Sequence, residues 1–171
     1  MVVDHEIAEA FVATAHRIVW CTVASVDRRG RPRSRILHPY WERAENGLVG
    51  WITTRPTPLK RAHLAHSPYL SCSYWDATHD VAVAECSAEW ADDVATRARA
   101  WELFRAAPEP LGHDPGSIWP AGPADPDAGV LRLRPWRLRV ASMETLLGRA
   151  PVLTWRAPDG ARRRRPPARL P

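Results

Sequence analysis

The stretch "LVGWITTRPTPLKRAHLAHSP", residues 48–68, sets the fold. Its first seven residues, Leu48 to Thr54, form a β-branched and aromatic run of strand type. "RPTP" then bends the chain, and residues 58–66 read as a short helix, which Pro68 ends by removing a backbone donor and restricting its neighbour. A strand delivered through a tight bend into a short helix, with more strands on either side, describes a sheet interrupted by one inserted helix. Lys60, in the first turn of that helix, is the chain's only lysine beside 23 arginines.

Upstream, residues 4–15 place Ile7, Ala8, Phe11, Val12 and Ala15 at helical spacing behind Asp4, a candidate N-cap. Residues 17–26, "RIVWCTVASV", and 31–41, "RPRSRILHPYW", form a strand pair across the turn signal "DRRG". Downstream, residues 69–75 and 81–90 are two more strands joined by "DATHD"; the second alternates alanines and Cys86 with Glu85, Ser87 and Glu89, the pattern of a sheet with one wet face. Asp92 is expected to cap a helix reaching about residue 106, and residues 108–129 form a Pro/Gly/Asp-rich loop containing Trp119. In the final run, "VLRLRPWRLRV", the apolar phase slips at Pro135, which predicts a bulge. The pattern predicts a mainly β fold with peripheral helices, a six-stranded antiparallel barrel.

Length and composition frame this reading. At 171 residues, with 45% hydrophobic content and nine tryptophans, the chain is one globular domain; 17 prolines favour short elements. No run approaches the ~18 apolar residues of a membrane span and the N-terminus lacks a signal-peptide pattern, so a cytoplasmic location is expected. Cys21, Cys72 and Cys86 lie in strand runs without CxxC spacing and read as reduced core thiols. The net charge of +5 resides in residues 156–171, where six arginines face Asp159, so the body is neutral. That tail reads as solvated chain or as a patch for an anionic partner. The body carries no nucleic-acid-binding signature. The expected division is a domain over 1–145 and an Arg/Pro-rich tail over 146–171.

Residues 33–68 resemble the pyridoxamine 5'-phosphate oxidase-like, FMN-binding split-barrel superfamily. In that family a G-x-P-x-x-R strand is followed by a strand ending in a Thr-containing motif, a bend, and a helix K-x-x-x-L/I-x-x-x-P. Here Gly30, Pro32 and Arg35 match the first; Thr53 and Thr54 the second; Lys60, Leu64 and Pro68 the third. The resemblance implies a six-stranded split barrel, a homodimer with the cofactor between subunits, and an oxidoreductase that transfers hydride through flavin mononucleotide (FMN) or a deazaflavin coenzyme to a small-molecule substrate. The lysine of that helix meets the flavin's phosphate side in the family.

The residue chemistry agrees. Arg33 and Arg35 lie two apart on one strand face, guanidinium groups bind phosphate bidentately, and Lys60 sits at a helix start that favours an anion. Arg33, Arg35, Trp51, Thr53, Thr54 and Lys60 are therefore the candidate cofactor-binding residues. Lys60 also reads as a plain exposed helix residue. Trp51, Trp75 or Trp136 could wall a flavin ring, and each also suits core or dimer packing. Tyr40 stands where the vitamin B6 oxidases carry a second basic residue, and their Arg-x-His segment is missing, which speaks against pyridoxamine phosphate as substrate. Branches using FMN or deazaflavin on diverse compounds are closer. His63 and His66, with His38, His79 or Asp80, have the types for a metal site, but a helical i, i+3 pair is common without metal, and no metal is expected. The alternative function is a non-enzymatic split-barrel protein that binds a cofactor, haem or another small molecule.

Overall fold

The computed structural model describes residues 3–45 and 47–158. In chain order the elements are α1 (His5–Ile18), β1 (Cys21–Val26), β2 (Pro32–Leu37), β3 (Tyr40–Ala44), β4 (Gly47–Thr54), α2 (Pro58–His66), β5 (Tyr69–Trp75), β6 (Val81–Trp90), α3 (Val94–Ala106), β7 (Gly129–Ala141), α4 (Met143–Leu146) and β8 (Leu153–Arg156). All strand pairings are antiparallel, in the order β2-β1-β5-β6-β7-β4-β3, with β8 also paired to β7.

This order dictates a barrel. The path runs from β2 at one end to β3 at the other, yet β2 and β3 are joined only by His38 and Pro39. Laid flat, seven strands would hold their edges about 29 Å apart. The three Cα steps from Leu37 to Tyr40 reach at most about 11 Å. The sheet must therefore curl until its edges meet, with the split between β2 and β3.

The described residues form eight strands where the sequence predicted six. One difference comes from Pro39: without an N–H it cannot extend the ladder, so the run 31–41 breaks into β2, which pairs with β1, and β3, which pairs with β4. The other is β8, four residues long, which lies within the stretch expected as tail. Its Leu153 and Trp155 pack against the barrel core, and this short alternation was the available signal. The arginines at 162–165 lie outside the described residues. The predicted bulge is present: Glu85 pairs with Arg137 but Cys86 with Pro135, so the β7 register shifts by one and Leu133 and Leu138 both point inward. The α3 cap is Asp93 rather than Asp92, its side chain accepting from the Thr96 amide at 2.7 Å.

The barrel core contains the inward residues of β1, β5, β6 and β7, with Phe11 and Ala15 of α1 closing one end. Cys21, Cys72 and Cys86 are free and buried in it. A mutual hydrogen bond with Cys72, together with burial, pushes the Cys21 thiol up, which leaves it inert. Gly50 is required by Trp41: a Cβ there would meet the indole at 2.7 Å. A second core lies outside β4, where Trp51, Val130 and Ala128 pack beneath α3 residues Ala100, Trp101 and Phe104. Trp119 belongs to this cluster, 6.2 Å from Trp101, so the irregular loop packs as a cover over it.

His38 and His113 meet beside this second core, ring centroids 4.7 Å apart. Burial, then the neighbouring His113, lowers His38 to about 4, against a hydrogen bond with the Leu111 backbone; burial also lowers His113. Burial likewise lowers His16, whose Nε2 accepts from the Trp41 amide at 2.9 Å and must be neutral to do so. All three rings resist a proton that the unfolded chain accepts near pH 6.5. Stability is therefore full above pH 6.5 and falls as the pH drops towards 4, with His38 contributing about 1–2 kcal/mol after allowance for its partial exposure. Denaturant unfolding at pH 7.5 and pH 5 checks this; equal free energies at the two pH values would contradict it.

Candidate anion-binding site

Local sequence builds the α2 entrance. Thr57 is the N-cap, accepting from the Lys60 amide, and Pro58 stands in the first turn, where its missing N–H costs nothing. Lys60 thus falls in the first turn. Its ammonium turns back to donate to Thr54 Oγ1 at 2.5 Å and to the Arg55 carbonyl at 3.0 Å, tying the end of β4 to the helix. Gly129, paired with Thr54, makes the tight bend possible: a Cβ there would meet the Thr54 carbonyl at 2.8 Å and Trp90 at 2.8 Å.

Arg35 approaches from β2. In register it faces Val23 of β1, and Arg33 faces Ser25, so both arginines project on the inward side of that hairpin. Arg35 Nη1 donates to Ser25 Oγ at 3.0 Å, and Ser25 Oγ lies 3.1 Å from His63 Nδ1. Burial lowers Lys60, and the nearby Arg35 charge lowers it further; burial also lowers Arg35. The ion pairs among the described residues include none of Arg33, Arg35 or Lys60. Two partly desolvated cations that repel each other and lack a carboxylate make a site of positive potential suited to a small dianion.

Ser25 also borders a pocket of about 270 Å³ lined by Val26, Pro32, Tyr69, Leu70 and Trp136, with Glu85 among its polar residues. The volume is below the ~300–1,000 Å³ usual for enclosed ligand sites. Its lining side chains Ala24, Val26, Tyr69, Ser71 and Glu85 alternate with the buried Ser25 and Leu70, so this largely apolar hollow lies on the outer face of the sheet, while Ser25 turns its Oγ inward to Arg35 and His63.

The structure divides the candidate residues. Arg35, Thr54 and Lys60 come together, with Arg33 beside them on the same strand face. Trp51 and Thr53 project from the opposite side of β4: Trp51 is buried under α3 and donates to Glu42 Oε1 at 2.8 Å, and Thr53 Oγ1 lies 3.5 Å from His113 Nε2. Of the other tryptophans, Trp136 lines the pocket while Trp75 is 61% exposed. Sequence reasoning weighed His63 only as a metal ligand and passed over Ser25; the signal was the position of His63 one helical step from Lys60, on its face of α2. His63 is buried and His66 exposed, and no group of three or more His, Cys, Asp or Glu among the described residues could hold a metal ion. No helix among them is long and apolar enough to cross a membrane.

No family model and no curated protein matches the chain. Solved structures do. A Clostridium acetobutylicum protein of the pyridoxinephosphate oxidase family, related to general stress protein 26, aligns over 90% of this chain and 96% of its own at 13% identity and a TM-score of 0.66. A pyridoxamine 5'-phosphate oxidase-related, FMN-binding protein from Nostoc punctiforme aligns over 84% and 88% at 17% identity, TM-score 0.59. The chain has the fold of the pyridoxamine 5'-phosphate oxidase-like split-barrel superfamily. A haem-binding protein from Mycobacterium smegmatis shares this split barrel, with 16% identity over 90% of this chain and 59% of that one, TM-score 0.63. The split barrel thus occurs in one neighbour that binds FMN and in another that binds haem.

Proposed function

We propose that the protein is a flavin-dependent oxidoreductase whose cofactor, FMN or a deazaflavin coenzyme, is anchored by its phosphate between Arg35 and Lys60. The observation that carries this reading is the pair of partly buried, mutually repelling cations Arg35 and Lys60, neither of which has an acid partner among the described residues. A ligand that carries a phosphate matches that arrangement. Arg35 offers a fork and Lys60 a point charge, with one of its three donors not used by Thr54 and Arg55. Arg33 is within the same strand face to add charge. The bound flavin would supply hydride transfer, and the protein would hold it, orient it and exclude water. Trp51 and Thr53, on the far side of β4, would support the strand that carries Thr54. A second subunit in a homodimer would enclose the flavin ring and a small-molecule substrate, and the reaction would take place in the cytoplasm.

The test is titration with FMN, with riboflavin and with the deazaflavin coenzyme, followed by fluorescence. Tight binding of FMN or the deazaflavin, with riboflavin far weaker, supports the reading; failure of both phosphorylated cofactors removes it. A second reading, a non-enzymatic haem-binding protein, is favoured by His38, a neutral ring whose buried Nε2 has no hydrogen-bond partner among the described residues. A Soret band on haem addition that His38→Ala abolishes would support it.

A further inference from the structure

The chain of contacts behind Arg35 ends on a histidine that the fold alone does not require. Ser25 and His63 are 4% and 3% exposed. Arg35 Nη1 donates to the Ser25 oxygen at 3.0 Å, so the Ser25 hydroxyl hydrogen is left for His63 Nδ1 at 3.1 Å. That assigns Nδ1 as acceptor and, in the neutral ring, puts the imidazole hydrogen on Nε2. Nε2 is buried without a hydrogen-bond partner among the described residues. A leucine would fill this space without the unpaired Nε2 donor, but it would leave the buried Ser25 hydroxyl without its acceptor. What the imidazole adds is an acceptor for Ser25.

We infer that His63 is a positioning residue of the anion site: by accepting from Ser25 it fixes the serine oxygen that holds Arg35, so that the guanidinium faces the same space as Lys60. A guanidinium has donors only, and its long side chain is otherwise free to turn to solvent from a strand whose Arg33 and Ser34 are exposed. The Ser25 hydroxyl, pinned by His63, supplies an acceptor in a fixed place. With Arg35 held there before binding, the anion does not bear the ordering cost of that side chain. The inference rests on reading Arg35 and Lys60 as an anion site, and it is independent of which phosphate ester occupies it.

Inorganic sulfate, which stays dianionic through neutral pH, is the probe, and its saturable effect on melting temperature is the first readout. Arg35 Nε resonances in a nitrogen-15 spectrum are the second. Without sulfate, His63→Leu is expected to melt near the parent protein, since it exchanges one unpaired buried donor for another, and to bind sulfate roughly five- to tenfold more weakly. His63→Asn, whose amide oxygen sits near the place of Nδ1, should recover most of the affinity. Ser25→Ala should lose as much as His63→Leu, and the double variant no more than either, because both act through one contact. Sulfate affinity unchanged in His63→Leu, losses that add in the double variant, or no saturable sulfate effect on the parent protein would each overturn the inference. FMN titrated against the same proteins separates the two readings. A parent protein that binds sulfate but neither FMN nor the deazaflavin loses the flavin reading alone; FMN bound equally by parent and His63→Leu removes the positioning role alone.

Discussion

Replacing Lys60 by alanine is expected to weaken FMN binding on the order of ten- to a hundredfold while leaving riboflavin binding nearly unchanged. The magnitude follows from the 1.5–3 kcal/mol typical of a hydrogen bond to a charged group, roughly, in a partly desolvated place. Selectivity for the phosphorylated ligand is the informative part, because a general loosening of the α2 entrance would weaken both ligands together. Lys60 also ties Thr54 to the Arg55 carbonyl, which argues for some loss of stability, but removing it relieves the repulsion with Arg35. The two effects oppose, and the unliganded melting temperature is expected to move little. FMN affinity equal to that of the parent protein would take Lys60 out of the site. A matched fall for FMN and riboflavin would make it a structural residue.

The largest effect on the fold is expected at Trp41. This side chain is 1% exposed, stacks edge-on against Phe11 of α1 with ring centroids 5.0 Å apart, and lies over Gly50. Its Nε1 donates to Tyr74 Oη at 2.8 Å, and Tyr74 is also fully enclosed. Trp41→Ala would leave a cavity where the helix closes the barrel and would strip the buried phenol of that donor. A cost of about 3–5 kcal/mol follows from the deleted volume alone, a large share of the ~5–15 kcal/mol that holds a domain together. Denaturant unfolding measures it. A change below about 1 kcal/mol would show that α1 and β3 repack around the space, which the tight Gly50 contact argues against.

Much of this architecture was legible because its signals are local. The α2 boundaries follow from Thr57, Pro58 and Pro68, each of which acts within a few residues of itself. The bulge was visible as an odd spacing between Leu133 and Leu138, since inward direction alternates strictly until a residue is inserted. The break between β2 and β3 was harder to see: Pro39 was in view, but only the pairing of Tyr40 with Trp51, far along the chain, shows that the strand changes partner there. The candidate site divides the same way. Arg35 and Lys60 could be named from their spacing, and Thr54 and Thr53 looked alike until the face of β4 was known. Ser25 stands 38 residues from His63, and nothing in either neighbourhood announces the other.

The corner at His38 and Pro39 has a further meaning for the behaviour of the chain in a crowded solution. Edge strands carry unpaired N–H and C=O groups that can template the addition of foreign strands, a common route to aggregation. In this protein both ends of the strand path are leashed to each other by the same two residues, so neither edge can swing out without dragging the other. The joint that shapes the barrel therefore also holds its two edges close together at one end of the seam, which restricts how far either can open to a foreign strand.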